Sequence, residues 1–347
     1  MKNIGVLGAS GYAGAEVVRI LLSHPLEKNL RVSSVSFEGK TLDSIYPALR
    51  QHGKAPLVLE NAQAVIEGSD VVFACLSNGL AEPIAQVCHD EGKLFIDLSA
   101  DFRFGTDEAT YATWYGKGYS APELHSESVY GLPELNRAAI AKARIIGNPG
   151  CYPTSAELGL YPALANGIAD TEGIIIDSAS GVTGSGREPS QATHYAECAD
   201  SISPYKVGSH RHQPEIDRYL SQMAGVEVSS VFTPHLAPMG RGIVSTIYFR
   251  LKNPMTVEAL HAVYKSFYEK EQFVRVLPLG SFASNHNVKF SNYCDISVHL
   301  SANKKMGIVV SCIDNMVKGA AGQAVQNMNL ALGLDEAAGL GLVPPAF

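Results

Sequence analysis

The sequence has no C-x-x-C pair. Its six cysteines, Cys75, Cys88, Cys151, Cys198, Cys294 and Cys312, are scattered, with no two closer than the first pair. That scatter excludes zinc-ribbon and dithiol redox spacings, and the thiols are expected to be free. Long apolar runs are missing too. The richest, Val-Val-Phe-Ala-Cys-Leu at 71–76, is far too short to cross a bilayer, so no membrane partner is expected. Nor is there an excess of basic residues. A net charge of −7 argues against nucleic acid as a partner, while leaving room for a local basic pocket that takes a phosphorylated small molecule. Repeats, linkers and low-complexity tracts are absent. The opening MKNIGVLGASG runs straight into a strand and turn without a leader pattern, so a cytoplasmic location is expected.

What is present suits a well-packed globular chain: 46% apolar and 18% charged residues over 347 positions, enough for two domains. The spacing predicts a strand at 2–8, a helix at 12–25 closed by Pro25, and a strand at 30–37. Further strands follow at 70–76, 93–99 and 143–150, with a helix near 80–90. This alternation predicts an α/β fold with a Rossmann-type, doubly wound parallel sheet. Beyond about residue 155 the strands lengthen: 173–180, 228–236, 242–251, 287–301 and 306–314, the last two joined by a hairpin at 301–305. Those strands predict an α+β domain with a mixed, largely antiparallel sheet and helices such as 256–269 on one face. The sequence ends with a small-residue helix, VKGAAGQAVQNMNLALG, that must pack closely on something.

Three constellations carry chemistry. The first is GVLGASGYAGAE, where Gly8, Gly11 and Gly14 bracket Ser10, Tyr12 and Ala13 between a strand and a helix. Glycine permits the tight turn and lets backbone N–H groups approach a pyrophosphate at the helix N-terminus. A turn that binds nothing is the alternative. Enzymes that use NAD usually end the second strand on an acidic residue that holds the ribose 2′-hydroxyl. Here Ser33, Ser34, Val35 and Ser36 stand there instead, leaving room for a 2′-phosphate, so NADP (as NADPH) is the expected cofactor. Glu38 keeps NAD open.

The second is GNPGCYPTSAE. Pro153 suits the first turn of a helix, which puts Cys151 at its N-terminus. Unpaired N–H groups and the helix dipole there favour a thiolate and can hold an oxyanion. The other cysteines sit in apolar patterns and read as packing. A nucleophilic thiol needs a proton-handling partner. GSHRHQPEID supplies His210 and His212 around Arg211, with Glu215 following. Without further ligands at a supporting spacing no metal is expected. One histidine serves as acid/base, Glu215 orients it, and Arg211 holds an anion; which histidine moves the proton stays open.

The third comprises loops that line a polar pocket or meet an anion. Ser180 and Gly181 open the glycine-rich SGVTGSGREPS, Asn148 precedes the cysteine, and Arg103 follows a strand of the parallel sheet. FTPHLAPMGRG carries His235 and Arg241 at the end of another strand, and His235 reads as a structural contact at a sheet corner.

Taken together, GASGYAGAE, DLSADFR, GNPGCYPT, SGVTGSGR, HRHQPEI, PHLAPMGRG and DNMVKGAAGQAVQNMN resemble the N-acetyl-γ-glutamyl-phosphate reductases, relatives of aspartate-semialdehyde dehydrogenase. The resemblance runs nearly the whole length. It implies an NADP-binding domain at 1–150, completed by the C-terminal helix 317–347, and a catalytic and dimerisation domain at 151–316. By position it makes Cys151 the nucleophile, His210 the acid/base and Glu215 its carboxylate partner, with Asn315 and Asn327 near the nicotinamide. The activity implied is NADPH-dependent reduction of N-acetyl-L-glutamyl 5-phosphate to the 5-semialdehyde, through a cysteine thioester, in a homodimer or homotetramer. Aspartyl phosphate, a carrier-linked aminoadipyl phosphate, or a non-catalytic NADP-binding regulator are the alternatives.

Overall fold

The structure of the chain, a computed structural model, describes residues 1–346 and divides into two compact units. The first comprises Met1–Pro149 and Ala320–Gly341, the second Gly150–Gly319 and the residues from Leu342 on.

Unit 1 alternates strands and helices. In order these are β1 (Lys2–Leu7), α1 (Tyr12–Ser23), β2 (Lys28–Ser33), α2 (Leu42–Ile45), β3 (Leu59–Glu60), α3 (Ala62–Glu67) and β4 (Val71–Ala74). They continue as α4 (Glu82–Asp90), β5 (Leu94–Asp97), α5 (Glu108–Tyr115), α6 (Pro122–Glu127), β6 (Val129–Tyr130), α7 (Pro133–Ile140) and β7 (Ile145–Gly147). The sheet order is β3-β2-β1-β4-β5-β7-β6, and every pairing is parallel. β4 and β5 are buried at every position, the mark of a parallel sheet covered on both faces. β2 stops at Ser33, short of the expected 37, because the chain turns through Ser36–Gly39; Ser36 is exposed in that turn.

Unit 2 opens with α8 (Cys151–Ala165), β8 (Ile174–Ser180), α9 (Tyr195–Cys198), β9 (Ser203–Pro204), α10 (Gln213–Ala224), β10 (Ser230–Leu236) and β11 (Ile243–Arg250). α11 (Val257–Phe267), β12 (Val274–Val276), β13 (Cys294–Leu300) and β14 (Met306–Ile313) follow. The mixed sheet runs β12-β13-β14-β11-β8-β10-β9; only β8–β10 and β12–β13 are parallel. α8, α10 and α11 pack against this sheet, and α10 and α11 each pack on α8. α8 is buried on all sides but for Cys151, Tyr161 and the last residue, Ala165, so it shows no amphipathic stripe. Its glycine at 159 lets it settle on β11, where a Cβ would stand 2.5 Å from Ile247 Cδ1. The other sheet face is open: Ile175 pairs in register with Val231 and Tyr248, and Ile175 and Val231 are 42% and 57% exposed.

Two expected elements differ. Residues 287–293 are not strand: a 3₁₀ turn covers Asn285–Val288, Phe290 adopts φ 61°, and its N–H goes to Asp314 Oδ2 at 2.7 Å rather than to a sheet neighbour. The C-terminal helix begins as a π-turn at Val317–Ala321, and its α-helical part, α12 (Gly322–Ala331), belongs to unit 1.

Candidate active site

Unit 2 begins at Gly150 and Cys151, which do locally what their residues suggest. Gly150 is the N-cap of α8, in extended conformation and with no side-chain cap, and Cys151 is the first helical residue, half-buried. The helix start is pinned one turn on by Ser155, whose hydroxyl donates to Ser245 Oγ at 2.9 Å and lies 3.1 Å from the Ser311 carbonyl. The thiols of Cys75, Cys88 and Cys312 contrast with this setting: burial raises the pKa of each, that of Cys88 to about 12. Cys198 lies half-buried on the short α9 rather than in a core.

Glu215 is the residue expected as the carboxylate partner of His210. It is fully buried in the first turn of α10, and its Oε1 accepts the Gly150 N–H at 2.8 Å. The carboxylate therefore braces the turn that carries Cys151. α10 packs on α8, which brings the carboxylate to this turn.

His210 sits in a cage of aromatic edges. Its ring centroid lies 5.6 Å from Tyr152, 5.5 Å from Tyr205, 5.4 Å from Phe232 and 4.9 Å from His212, all edge-to-face. Burial, with the Lys206 and Arg211 charges adding to it, pushes its pKa down to about 4. Nδ1 accepts the His212 N–H at 3.1 Å. A backbone N–H can only donate, so the neutral ring carries its proton on Nε2. Arg211 is exposed on the turn between the two histidines. Among the described residues no three His, Cys, Asp or Glu side chains cluster as metal ligands would.

Tyr152 and Tyr205 share a hydrogen bond between their hydroxyls at 3.0 Å. Burial raises both phenol pKa values, that of Tyr205 to about 12, and a charge on Cys151 adds to each. Tyr152 was visible in the sequence as the neighbour of the cysteine; nothing marked Tyr205.

Ser180 is buried at the end of β8. Gly181 lets two backbones meet, since a Cβ there would stand 2.7 Å from the Gly240 carbonyl. Asn315 stitches the same loops, accepting the Gly242 N–H at 2.8 Å and donating to Thr183 Oγ1 at 3.0 Å. Its amide is thus engaged inside unit 2, whereas Asn327 belongs to unit 1.

In unit 1 the glycines make a narrow cradle. Gly8 has φ 72°, and a Cβ on it would stand 2.3 Å from the Cys75 carbonyl; one on Gly14 would stand 2.4 Å from the Gly8 carbonyl. Gly11 caps α1 without a side-chain bond, leaving the helix N-terminus beside Ser10, Tyr12 and Ala13 uncovered by any cap. Ser10 and Ser34 hydroxyls pair at 2.7 Å where β2 ends, and Glu38 is exposed in the following turn.

Arg103 and Asn148, expected to hold substrate, are tied into unit 1. Arg103 is buried, and its guanidinium donates to the Asn148 carbonyl at 2.8 Å and the Leu98 carbonyl at 3.0 Å. Asn148 donates to the Ala320 carbonyl at 3.1 Å and accepts from Asn327 Nδ2 at 3.1 Å; Asn327 also donates to the Gly131 carbonyl at 2.8 Å. Together they fix the strand end that leads into Cys151. The Asn327 Oδ1 is buried without a partner.

Comparison with known proteins agrees across the whole chain. The family model described as "Semialdehyde dehydrogenase, NAD binding domain" matches residues 3–143, and "Semialdehyde dehydrogenase, dimerisation domain" matches 151–315. N-acetyl-gamma-glutamyl-phosphate reductases of Clostridium botulinum (Eklund 17B) and Clostridium beijerinckii are 50% and 51% identical to it, each over 100% of both chains. That of Brachyspira hyodysenteriae is 50% identical over 100% of both. Among solved structures, aspartate semialdehyde dehydrogenase II of Vibrio cholerae, complexed with ASA, superposes with a TM-score of 0.74 at 16% identity, over 96% of this chain and 98% of that one. The Candida albicans enzyme with NADP gives 0.67 at 17% identity, over 95% and 98%. These last two share the fold.

Proposed function

Because this chain belongs to the semialdehyde dehydrogenase family, among its N-acetyl-γ-glutamyl-phosphate reductases, we propose that Cys151 carries the acyl group while N-acetyl-L-glutamyl 5-phosphate is reduced to the 5-semialdehyde with NADPH. The reaction belongs to arginine biosynthesis. The observation that carries the thioester reading is Cys151 at the first position of a buried 15-residue helix whose N-cap has no side chain to offer.

The residues present fit the dinucleotide. Gly8 and Gly14 let the turn close tightly, since a Cβ on either would meet a backbone carbonyl at 2.3 or 2.4 Å, and the uncapped N-terminus of α1 suits a pyrophosphate. The Ser10–Ser34 hydroxyl pair, with no carboxylate at the end of β2, suits a ribose 2′-phosphate and supports NADP over NAD. NADPH, when bound, supplies the hydride.

The helix dipole of α8 favours the Cys151 thiolate. Its Sγ bonds to the acyl-phosphate carbonyl carbon, the carbon–oxygen bond to phosphate breaks, and inorganic phosphate leaves. Reduction of the thioester carbonyl puts a negative charge on its oxygen. His210, neutral with its proton on Nε2, is a hydrogen-bond donor to that oxyanion rather than a standing acid. Nothing more acidic is required, since collapse of the oxyanion re-forms a carbonyl and expels the Cys151 thiolate. Glu215 holds the turn, and Arg211 offers a charge to the anionic substrate.

The open sheet face around Ile175, Val231 and Tyr248 supports a homo-oligomer, dimer or tetramer, built on unit 2. Six free thiols fit a reducing compartment such as the cytoplasm, and among the described residues no helix is long and apolar enough to cross a membrane. The reverse assay tests the substrate: N-acetylglutamate semialdehyde, phosphate and NADP should yield NADPH, and aspartate semialdehyde in its place should not.

A further inference from the structure

We propose that Gly319 is a positioning residue for the Cys151 thiol, its bare backbone forming the wall against which the cysteine side chain is set. The proposal rests on Cys151 being the nucleophile. A Cβ built on Gly319 would stand 2.8 Å from Cys151 Cβ, 3.2 Å from Cys151 Cα and 3.3 Å from Ile313 Cδ1. Real Cβ atoms do not approach so closely, so any side chain at 319 displaces the cysteine or the turn.

That wall is held in place by a tightly bonded turn. Gly319 lies in the π-turn Val317–Ala321, and its N–H reaches the Asp314 carbonyl five residues back at 3.0 Å. Such single π-turns concentrate at functional sites. Asp314, fully buried, then gathers the neighbouring backbone. Its Oδ1 accepts the N–H of Met316 at 2.8 Å and of Val317 at 3.2 Å, and its Oδ2 that of Phe290 at 2.7 Å. Arg241 lies 3.6 Å from the same carboxylate. Lys318, also fully buried, lies over the Phe273 ring at 5.8 Å. With the turn clamped from three sides, the tolerance at Gly319 falls on Cys151. Small residues in KGAAGQA read from sequence as helix packing, but at 319 the packing partner is the nucleophile itself.

A misdirected thiolate loses alignment with the carbonyl carbon, and angstrom-scale misplacement costs about a hundredfold in rate. Gly319→Ala should therefore lower kcat about 10- to 100-fold while the KM for the acyl phosphate changes less than about threefold. The rate of Cys151 alkylation by iodoacetamide should fall with it, and its pH profile should shift. The double variant Ile313→Val/Gly319→Ala removes the other close neighbour, and with it general crowding. It should fold if the single variant does not, and should still show the kcat loss and the slowed alkylation. Full activity in either folded variant, or unchanged alkylation, would overturn the proposal. So would loss of the kcat defect in the double variant. An active Cys151→Ser would instead overturn the thioester reading on which it rests, so the two failures are distinguishable.

Discussion

Glu215 Oε1 accepts the Gly150 N–H at 2.8 Å, and this bond joins the first turn of α10 to the residue before Cys151. A hydrogen bond to a buried carboxylate is worth about 1.5–3 kcal/mol, and breaking it leaves an N–H unsatisfied. Glu215→Ala should cut kcat by about 10- to 100-fold if the turn relaxes by that energy. Glu215→Gln keeps an acceptor in place and should retain most activity. Steady-state rates of the two variants check the difference; a Gln variant as poor as Ala would mean that the charge matters beyond the bond.

His210 is pushed down to about 4 by burial and by the Lys206 and Arg211 charges, from an ordinary value of 6.5. Between those values the unfolded chain holds more protons at this residue, so stability falls as pH drops from about 6.5 toward 4. The pH profile of kcat/KM should show no inflection from His210 near 6.5, and its acid limb should lie closer to 4. His210→Gln should flatten the stability loss over that window, as thermal melts across pH would report.

Asp97 carries the opposite sign. Burial and the nearby Asp101 push its pKa up to about 7, so the folded chain holds more protons than the unfolded one from about 4 to 7. This contribution to stability is present at low pH and is lost as pH rises through 7. Asp97→Asn should remove the decline: its one remaining oxygen can keep the Ser99 N–H, now bound at 2.9 Å, while the Ser99 hydroxyl, which now donates at 2.8 Å, must turn to accept from the amide. Denaturant midpoints at pH 5 and pH 8 should differ less in the variant than in the parent.

Gly14→Ala would place a methyl carbon 2.4 Å from the Gly8 carbonyl. The turn must open to admit it, which should raise the KM for NADPH at least about tenfold and leave alkylation of Cys151 unchanged. Fluorescence titration with NADPH reads the first effect, and iodoacetamide labelling reads the second.

Much of this was legible in the residues, for identifiable reasons. Parallel strands such as Val71–Ala74 are apolar throughout because both faces are covered, and the glycine and Pro-Gly-Cys turns announce backbone shapes that few other residues adopt. What stayed hidden depends on long-range packing. Glu215 reads as a histidine partner from its motif and from the family resemblance, but its bond to Gly150, 65 positions away, depends on the packing of α10 against α8. The alternation through Val288 and Phe290 looked like strand until Asp314 captured the Phe290 N–H. No pattern in Val-Lys-Gly-Ala-Ala marks a bond between residues five apart, so the contact of Gly319 with Cys151 could only be seen in three dimensions.

The most direct test of the account is to look for the acyl group itself. Incubation of the enzyme with N-acetylglutamate semialdehyde and NADP, without phosphate, should leave a thioester that peptide mass spectrometry locates on Cys151. Phosphate should then release it. An unmodified Cys151 peptide in an enzyme that turns over normally once phosphate is added would contradict the thioester mechanism.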